Sequence, residues 1–295
     1  MPGASKAIRK RIKSVGSTKK ITRTMEMVAT SKLQKTQGRV LASRPYQAGM
    51  QTLVTALSSA VESLAVSALF EQRTPVKRVL VLLLTSNRGL CGGYNANLIR
   101  MCREHVKGLE DAGVEVVLHV AGRKGVAGMK FARVPVAESR TDLSESPTYA
   151  EAQSVAARLL DAFLSRDVDR VDVVFADFRS AGHQPPTAAT LLPVGAAVKE
   201  KDEKDAHAHG DEYLFDPDAG AIFKALGAVY TTNTVYRMLL SAVASEMLAR
   251  RIAMKSASDN ADDMERSLTR DYNRARQAGI TQEIAEIVGG AAALE

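Results

Sequence analysis

The sequence predicts an α/β domain held between two long helices of coiled-coil type. Three observations carry this. Apolar residues recur four and three apart near both ends of the chain. Continuous β-branched and Leu runs alternate with helical patterns in the middle. Aromatic residues are only 5% of the 295 residues, with no Trp, which suits helix–helix packing better than a bulky globular core.

The first helix is expected over residues 1–68. Ile8, Ile12 and Val15 are spaced four and three apart, and Ile21, Met25 and Val28 repeat the spacing, giving an apolar seam with Lys and Arg on the outer faces. Pro45 is expected to kink or interrupt this helix, and Gly49 to weaken it. Residues 1–44 carry twelve Lys or Arg against one acid, Glu26, whereas the formal net charge of the whole chain is +7. Such an arm implies nucleic acid, an anionic membrane surface or an acidic protein partner, or else a solvated helix face.

The central α/β domain is expected over 76–198. Val76–Thr85 reads as a strand buried on both faces, Asn95–Leu109 as a helix, and Val114–Ala121 as a second strand. Tyr149–Leu164 reads as a helix, Val171–Phe178 as a third strand, and Thr187–Val194 as a fourth at an edge. Strand–helix alternation implies a Rossmann-like, mostly parallel sheet. The segment 199–216 is a charged loop, within which Lys199–Tyr213 has no apolar periodicity. His207 and His209 there allow a metal site, against the plainer reading of an insertion loop with exposed histidines.

The last helix is expected over 217–295, from near Ala219 to near Val288. Tyr236, Leu240, Val243, Met247, Met254, Ala257, Ala261, Met264, Leu268 and Ala275 follow the four–three alternation. A helix of that span is roughly 100 Å long. It pairs with the first helix, antiparallel, or projects into a partner. Arg250 breaks the seam, either setting register and contacts or lying on the surface where the coiled coil opens.

Chemical motifs are missing. The turn Ser86-Asn87-Arg88-Gly89-Leu90-Cys91-Gly92-Gly93 follows a buried strand, but no Lys stands at phosphate-loop spacing. Gly122-Arg123-Lys124-Gly125 reads as a second tight turn. Cys91 and Cys102 form no disulfide framework or metal spacing, and a reducing compartment fits them. No cofactor, metal or catalytic residue is expected. No segment approaches eighteen uninterrupted apolar residues, and the basic N-terminus lacks a signal-peptide core.

Several stretches resemble the gamma-subunit family of F-type ATP synthases. These are Lys20-Ile21-Thr22-Arg23-Thr24-Met25-Glu26-Met27-Val28-Ala29, Ser43-Arg44-Pro45-Tyr46, Ser86–Asn95, the tract from Ser245-Glu246-Met247 to Asn260, and Tyr272–Val288. They run in family order from end to end. The charged segment is longer than the family's usual connection. The resemblance implies a non-catalytic rotor shaft inside a ring of three alpha and three beta subunits, beside an epsilon subunit and seated on a membrane c-ring. It implies coupling of proton flow to ATP synthesis or hydrolysis, no nucleic acid, membrane contact only through the c-ring, and a place on the cytoplasmic face of a bacterial inner membrane. By position it implies partner contacts at Met25, Arg250, Gln277, Thr281 and Glu283. A nucleic-acid-binding coiled coil and a small α/β enzyme are the rival readings. The first lacks stacking aromatics in the basic arm, the second a catalytic motif.

Overall fold

The computed structural model describes residues 2–60, 68–194 and 219–292. The expected loop Lys199–Tyr213, with His207 and His209, lies outside them. Among the described residues ten elements follow one another: α1 (Pro2–Ala60), β1 (Arg78–Leu84), α2 (Tyr94–Asp111), β2 (Glu115–Ala121), α3 (Arg123–Phe131), β3 (Glu138–Arg140), α4 (Tyr149–Leu164), β4 (Arg170–Ala176), β5 (Pro186–Leu192) and α5 (Ala219–Ala292). The chain divides into two units, one of Met1–Ser31 with Arg250–Glu295 and one of Lys32–Ala249.

In the second unit the sheet has the order β3-β2-β1-β4-β5. The first four strands are mutually parallel where they pair, and β5 runs antiparallel to β4 at the edge. β1 is central and shows why a continuous apolar run was needed. Leu80, Leu82 and Leu84 face one layer, while Val79, Val81 and Leu83 face the other. Strand period two sends alternate side chains to opposite faces, and both faces are covered. α2 and α3 cover one face through Leu98, Cys102, Val106 and Met129. α4 covers the other through Ala152, Val155, Leu159 and Phe163, together with Val54 of α1 and Val235, Met238 and Leu239 of α5.

The structure departs from expectation in several places. α1 runs through Pro45 without interruption. The segment at Gly122–Gly125 is the start of helix α3 rather than a free-standing turn. β3, three residues long, adds a parallel edge strand that hydrophobic patterning did not signal.

The α1 seam is also corrected. Ile21 and Val28 are 60% and 50% exposed, while Thr22 and Ala29 are buried. From Val15 the four–three register continues through Lys19, Thr22, Glu26, Ala29, Leu33, Thr36 and Val40 instead of slipping to Ile21. Close helix packing favours small side chains at the contact over large apolar ones. On α5 the seam holds except at Met264, which is exposed. Its place is taken by Glu265, bound to a lysine of α1.

Helices α2, α3 and α4 end alike. The residues after their caps, Gly113, Arg133 and Arg166, all have positive φ (76°, 56° and 63°). In each, the N–H of that residue and of the next bond back to carbonyls of the last turn, which is the Schellman arrangement. Glycine adopts this conformation freely, whereas an L side chain costs roughly 1 kcal/mol. Arg166→Gly should therefore raise stability by about 0.5–1 kcal/mol, after allowance for glycine's extra unfolded-state freedom. The Arg166–Glu71 pair that it removes is 3.6 Å long between exposed groups, and such pairs contribute little. Urea unfolding of the two proteins checks this, and a loss of stability would refute it.

Candidate coupling surface

In the first unit, α1 and α5 are joined by charge across the seam. Lys19 Nζ donates to Asp262 and, at 3.2 Å, to Glu265. Arg266 reaches Asp262 from the next turn at 2.8 Å. A Cβ built on Gly16 would stand 3.6 Å from Glu265 Oε1. Gly16 faces residue 265 and Lys19 faces 262 and 265, so the two segments run antiparallel. The hydrogen bond to Asp262 is the main reason that the Lys19 ammonium is held above its usual range, and the same bond holds the Asp262 carboxyl below its own.

The partner-contact residues named from sequence are all in this unit. Met25 is half-buried beside the seam. Arg250 is only 7% exposed, so it is a seam residue, and the alternative of a surface Arg at an opening coiled coil is withdrawn. Gln277, Thr281 and Glu283 are exposed. The Thr281 hydroxyl donates to the Gln277 carbonyl at 3.0 Å, and these two share a stripe four residues apart. Glu283, two residues beyond Thr281, points about 200° away around the helix. The structure thus groups Gln277 with Thr281 and sets Glu283 apart.

Sequence reasoning missed two exposed apolar sets. On α1, Ile21 and Val28 lie seven apart with Met27 beside them, outside the seam and among Lys20 and Arg23. On α5, Ile280, Ile284, Ile287 and Val288 are all exposed. The signal for both was the heptad register itself. Once continued from Val15, it leaves Ile21 and Val28 facing outward.

The Gly-rich turn belongs to the second unit, and its own side chains fill it. Ser86 Oγ donates to the Arg88 carbonyl at 2.6 Å, and Asn95 Nδ2 donates to Ser86 Oγ at 2.8 Å and Cys91 Sγ at 3.2 Å. Arg88 pairs with Glu145 at 3.2 Å, and Lys32 of α1 pairs with the same carboxylate. In doubly wound sheets ligands bind at the carboxyl ends of the strands. Here α5 lies over that end. Tyr94 Oη donates to the Ala242 carbonyl at 3.0 Å, the Phe178 N–H donates to Ser241 Oγ at 2.5 Å, and Ser245 Oγ donates to the Ala176 carbonyl at 3.3 Å. The cleft that remains, between Thr85, Gly122, Leu239 and Glu246, holds about 50 Å³, room for one or two water molecules. Among the described residues no cluster of His, Cys, Asp or Glu could hold a metal ion, and no helix is long and apolar enough to cross a membrane. Cys102 lies on the buried face of α2, where burial pushes its thiol up to about 12, so it stays protonated and inert.

Residues 4–294 match the family model described as ATP synthase. Among curated relatives, the ATP synthase gamma chain of Leptospira biflexa is 42% identical over 97% of this chain and 98% of that protein. The protein of the same description from Frankia casuarinae is 42% identical over 100% and 99%. Among solved structures, a chain of the Euglena gracilis mitochondrial ATP synthase (OSCP/F1/c-ring, rotational state 3) superposes with a TM-score of 0.67 at 20% identity, over 100% of this chain and 95% of that one. A chain of the Tetrahymena thermophila mitochondrial ATP synthase central stalk and c-ring gives 0.60 at 22%, over 81% and 99%.

Proposed function

Because this chain belongs to the ATP synthase gamma-chain family, we propose that it turns as the central stalk and couples proton translocation through a c-ring to ATP synthesis or hydrolysis on other subunits. The observation that carries this is identity of about 42% along essentially the whole length of gamma chains. The geometry supports it. α5 closes the cleft where the sheet could hold a ligand, and exposed apolar residues gather on the helical arms, where a surrounding partner would cover them.

The partners are three alpha and three beta subunits, which carry the catalytic sites, together with an epsilon subunit and the c-ring. The chain itself is non-catalytic and sits peripherally on the cytoplasmic face of a bacterial membrane. Gln277 and Thr281 touch beta-subunit loops along one stripe, and Glu283 touches a different neighbour. Arg250, being buried, acts by fixing the register of the helix pair that presents Met25. Because the stalk is asymmetric, each beta subunit meets a different face in turn, and contacts that differ between states shift its open and closed populations. Native purification through a tag on this chain should bring down an alpha–beta complex with ATPase activity, plus epsilon. Recovery of the chain alone under conditions that keep membranes and complexes intact would refute the stalk reading.

Met25 offers a finer test. A lysine at this half-buried position can extend its ammonium to solvent, so assembly should survive. The new cation can capture a beta-subunit carboxylate and over-stabilise one rotational state by about 1–3 kcal/mol. In reconstituted enzyme carrying Met25→Lys, substantial ATP hydrolysis with depressed ATP-driven proton pumping is the expected outcome. Failed assembly, or pumping that falls only in step with hydrolysis, would reduce Met25 to a packing residue.

A further inference from the structure

In the second unit, the segment between β3 and α4 is held by the Gly-rich turn and by α1. Asn87 Nδ2, in the turn, donates to the Leu143 carbonyl at 3.1 Å. Glu145 accepts from Arg88 of the same turn at 3.2 Å and from Lys32 of α1. The half-buried guanidinium of Arg39, also on α1, donates to Ser146 Oγ at 2.8 Å and to the Pro147 carbonyl. It donates as well to Tyr236 Oη of α5 at 2.9 Å. The Tyr236 ring meets Tyr149, the first residue of α4, edge-on at 5.9 Å. The segment is stiff in itself. The Glu151 carboxylate accepts from the Ser144 N–H at 2.9 Å, the Ser144 hydroxyl at 3.0 Å and the Thr148 N–H at 2.7 Å, and Thr148 caps α4 in return.

Lys32 and Arg39 are two helical turns apart, so they stand on one stripe of α1, about 10 Å apart along its axis. Elsewhere α1 meets the sheet layers through apolar side chains, with Val54 in one core and Leu33 and Val40 against Phe178. Apolar contact opposes separation but has no direction, so it yields to sliding. Hydrogen bonds depend on angle as well as distance. α1 therefore cannot turn about its own axis against the sheet without bending the bonds of Lys32 and Arg39 together. Because the Arg39 guanidinium also holds Tyr236, the same motion pulls on α5.

We propose that Lys32 and Arg39, with the segment Leu143–Pro147, form the joint that carries torque between the α/β layers and the two long helices. This rests on the stalk reading, in which the chain turns under load. Both are positioning residues. They set the torsional stiffness of the rotor, and the apolar cores set its cohesion.

The test uses the full chain reconstituted with its alpha–beta ring, the ring fixed to a surface and a bead attached through Lys107→Cys on the exposed side of α2. Cys91 and Cys102 are buried, so labelling goes to the new thiol. The angular variance of the bead during a catalytic pause measures the torsional compliance between the α/β layers and the helices. Arg39→Met keeps an unbranched apolar stem and removes the directional bonds. It should leave assembly and ATP hydrolysis near the parent's and widen the variance about 2-fold, because Arg39 supplies three of the bonds at the joint. Lys32→Met should widen it less, the two together more, and Arg39→Lys should fall between the parent and Arg39→Met. Val54→Ala, which removes apolar packing in the same unit, should lower resistance to urea and leave the variance unchanged. A variance unchanged in the double variant, or widened as much by Val54→Ala, overturns the joint. If Arg39→Met does not assemble, Lys32→Met decides alone, and an unchanged variance there overturns it equally. A parent bead that does not turn with ATP overturns the stalk reading itself, an outcome distinct from any change among the variants.

Discussion

Gly122→Ala is expected to lower the stability of the α/β unit by more than about 4 kcal/mol, enough to leave it unfolded or insoluble. Gly122 links β2 to α3 with φ at 104°, a region almost closed to L side chains. A Cβ there would meet the Thr85 carbonyl oxygen at 2.3 Å and its carbon at 2.6 Å. That is backbone, and it cannot swing aside. The Thr85 N–H donates to the Ala121 carbonyl at 2.8 Å, its hydroxyl donates to the same carbonyl at 2.9 Å, and the Gly125 N–H donates to the hydroxyl at 2.9 Å. Moving Thr85 would therefore break the β1–β2 ladder where α3 begins. Gly113→Ala is the control. It also has positive φ, 76°, but nothing lies within 4 Å of its would-be Cβ. It should cost only about 1 kcal/mol from backbone strain. Soluble expression and urea unfolding of the two variants separate collision from dihedral strain. Similar costs for both would show that the approach of Thr85 to Gly122 is not tight.

Asp172→Ala should cost about 3–5 kcal/mol, towards the low end because two of its partners reach solvent. Asp172 is a charged residue inside β4, 2% exposed, on the face beneath α2. His105 Nε2 lies 2.8 Å from Oδ2, the Arg170 guanidinium donates to the same oxygen at 2.9 Å, and the Thr190 hydroxyl of β5 donates to Oδ1 at 2.9 Å. Burial alone would raise the carboxyl's pKa. The bond to His105, the Arg170 charge and the Thr190 hydroxyl outweigh burial and hold it below the usual carboxylate range. A depressed folded pKa means that the stabilisation is fully present above the unfolded value of about 4 and is lost as pH falls through the folded value. Asp172→Asn should therefore remain folded at neutral pH, less stable than the parent, and lose part of the parent's dependence on pH below about 4. Amide hydrogen exchange in β4 and β5, measured at neutral and acid pH, reads both effects. An unchanged acid profile in Asp172→Asn would show that other carboxylates govern it.

The strands β1 and β4 were legible because a strand buried on both faces must be apolar throughout, and few other segments are. The α1 seam was only half legible. Reading for large apolar residues moved the register to Ile21 and Val28, whereas the contact uses Thr22, Ala29 and Thr36. Shape decided the packing there, and hydropathy does not record shape. α3 was hidden by Gly122, Gly125 and Gly128, which look like turn residues. All three serve close approach instead, Gly122 to the Thr85 carbonyl as described above. A Cβ on Gly125 would strike Thr85 Oγ1 at 2.5 Å, and one on Gly128 would strike Ile99 Cδ1 at 2.4 Å. β3 is too short and too exposed to carry a pattern. At the candidate surface, the sequence marked Arg250 as a break in the heptad, and burial now places it inside the seam. The separation of Glu283 from the stripe of Gln277 and Thr281 could have been read from helix period alone.

The exposed isoleucines and valine near the end of α5 have a consequence for the chain before it meets any partner. A newly made copy carries Ile280, Ile284, Ile287 and Val288 open to solvent, on a stretch of α5 that is exposed from Ile280 to Gly289. Segments of that kind open cheaply, and open apolar segments are what chaperones retain and proteases cut. A cell producing this chain in excess of its partners should clear the surplus starting at this end. On the proposed stalk role, the level of the chain is then set by the supply of the subunits that cover it.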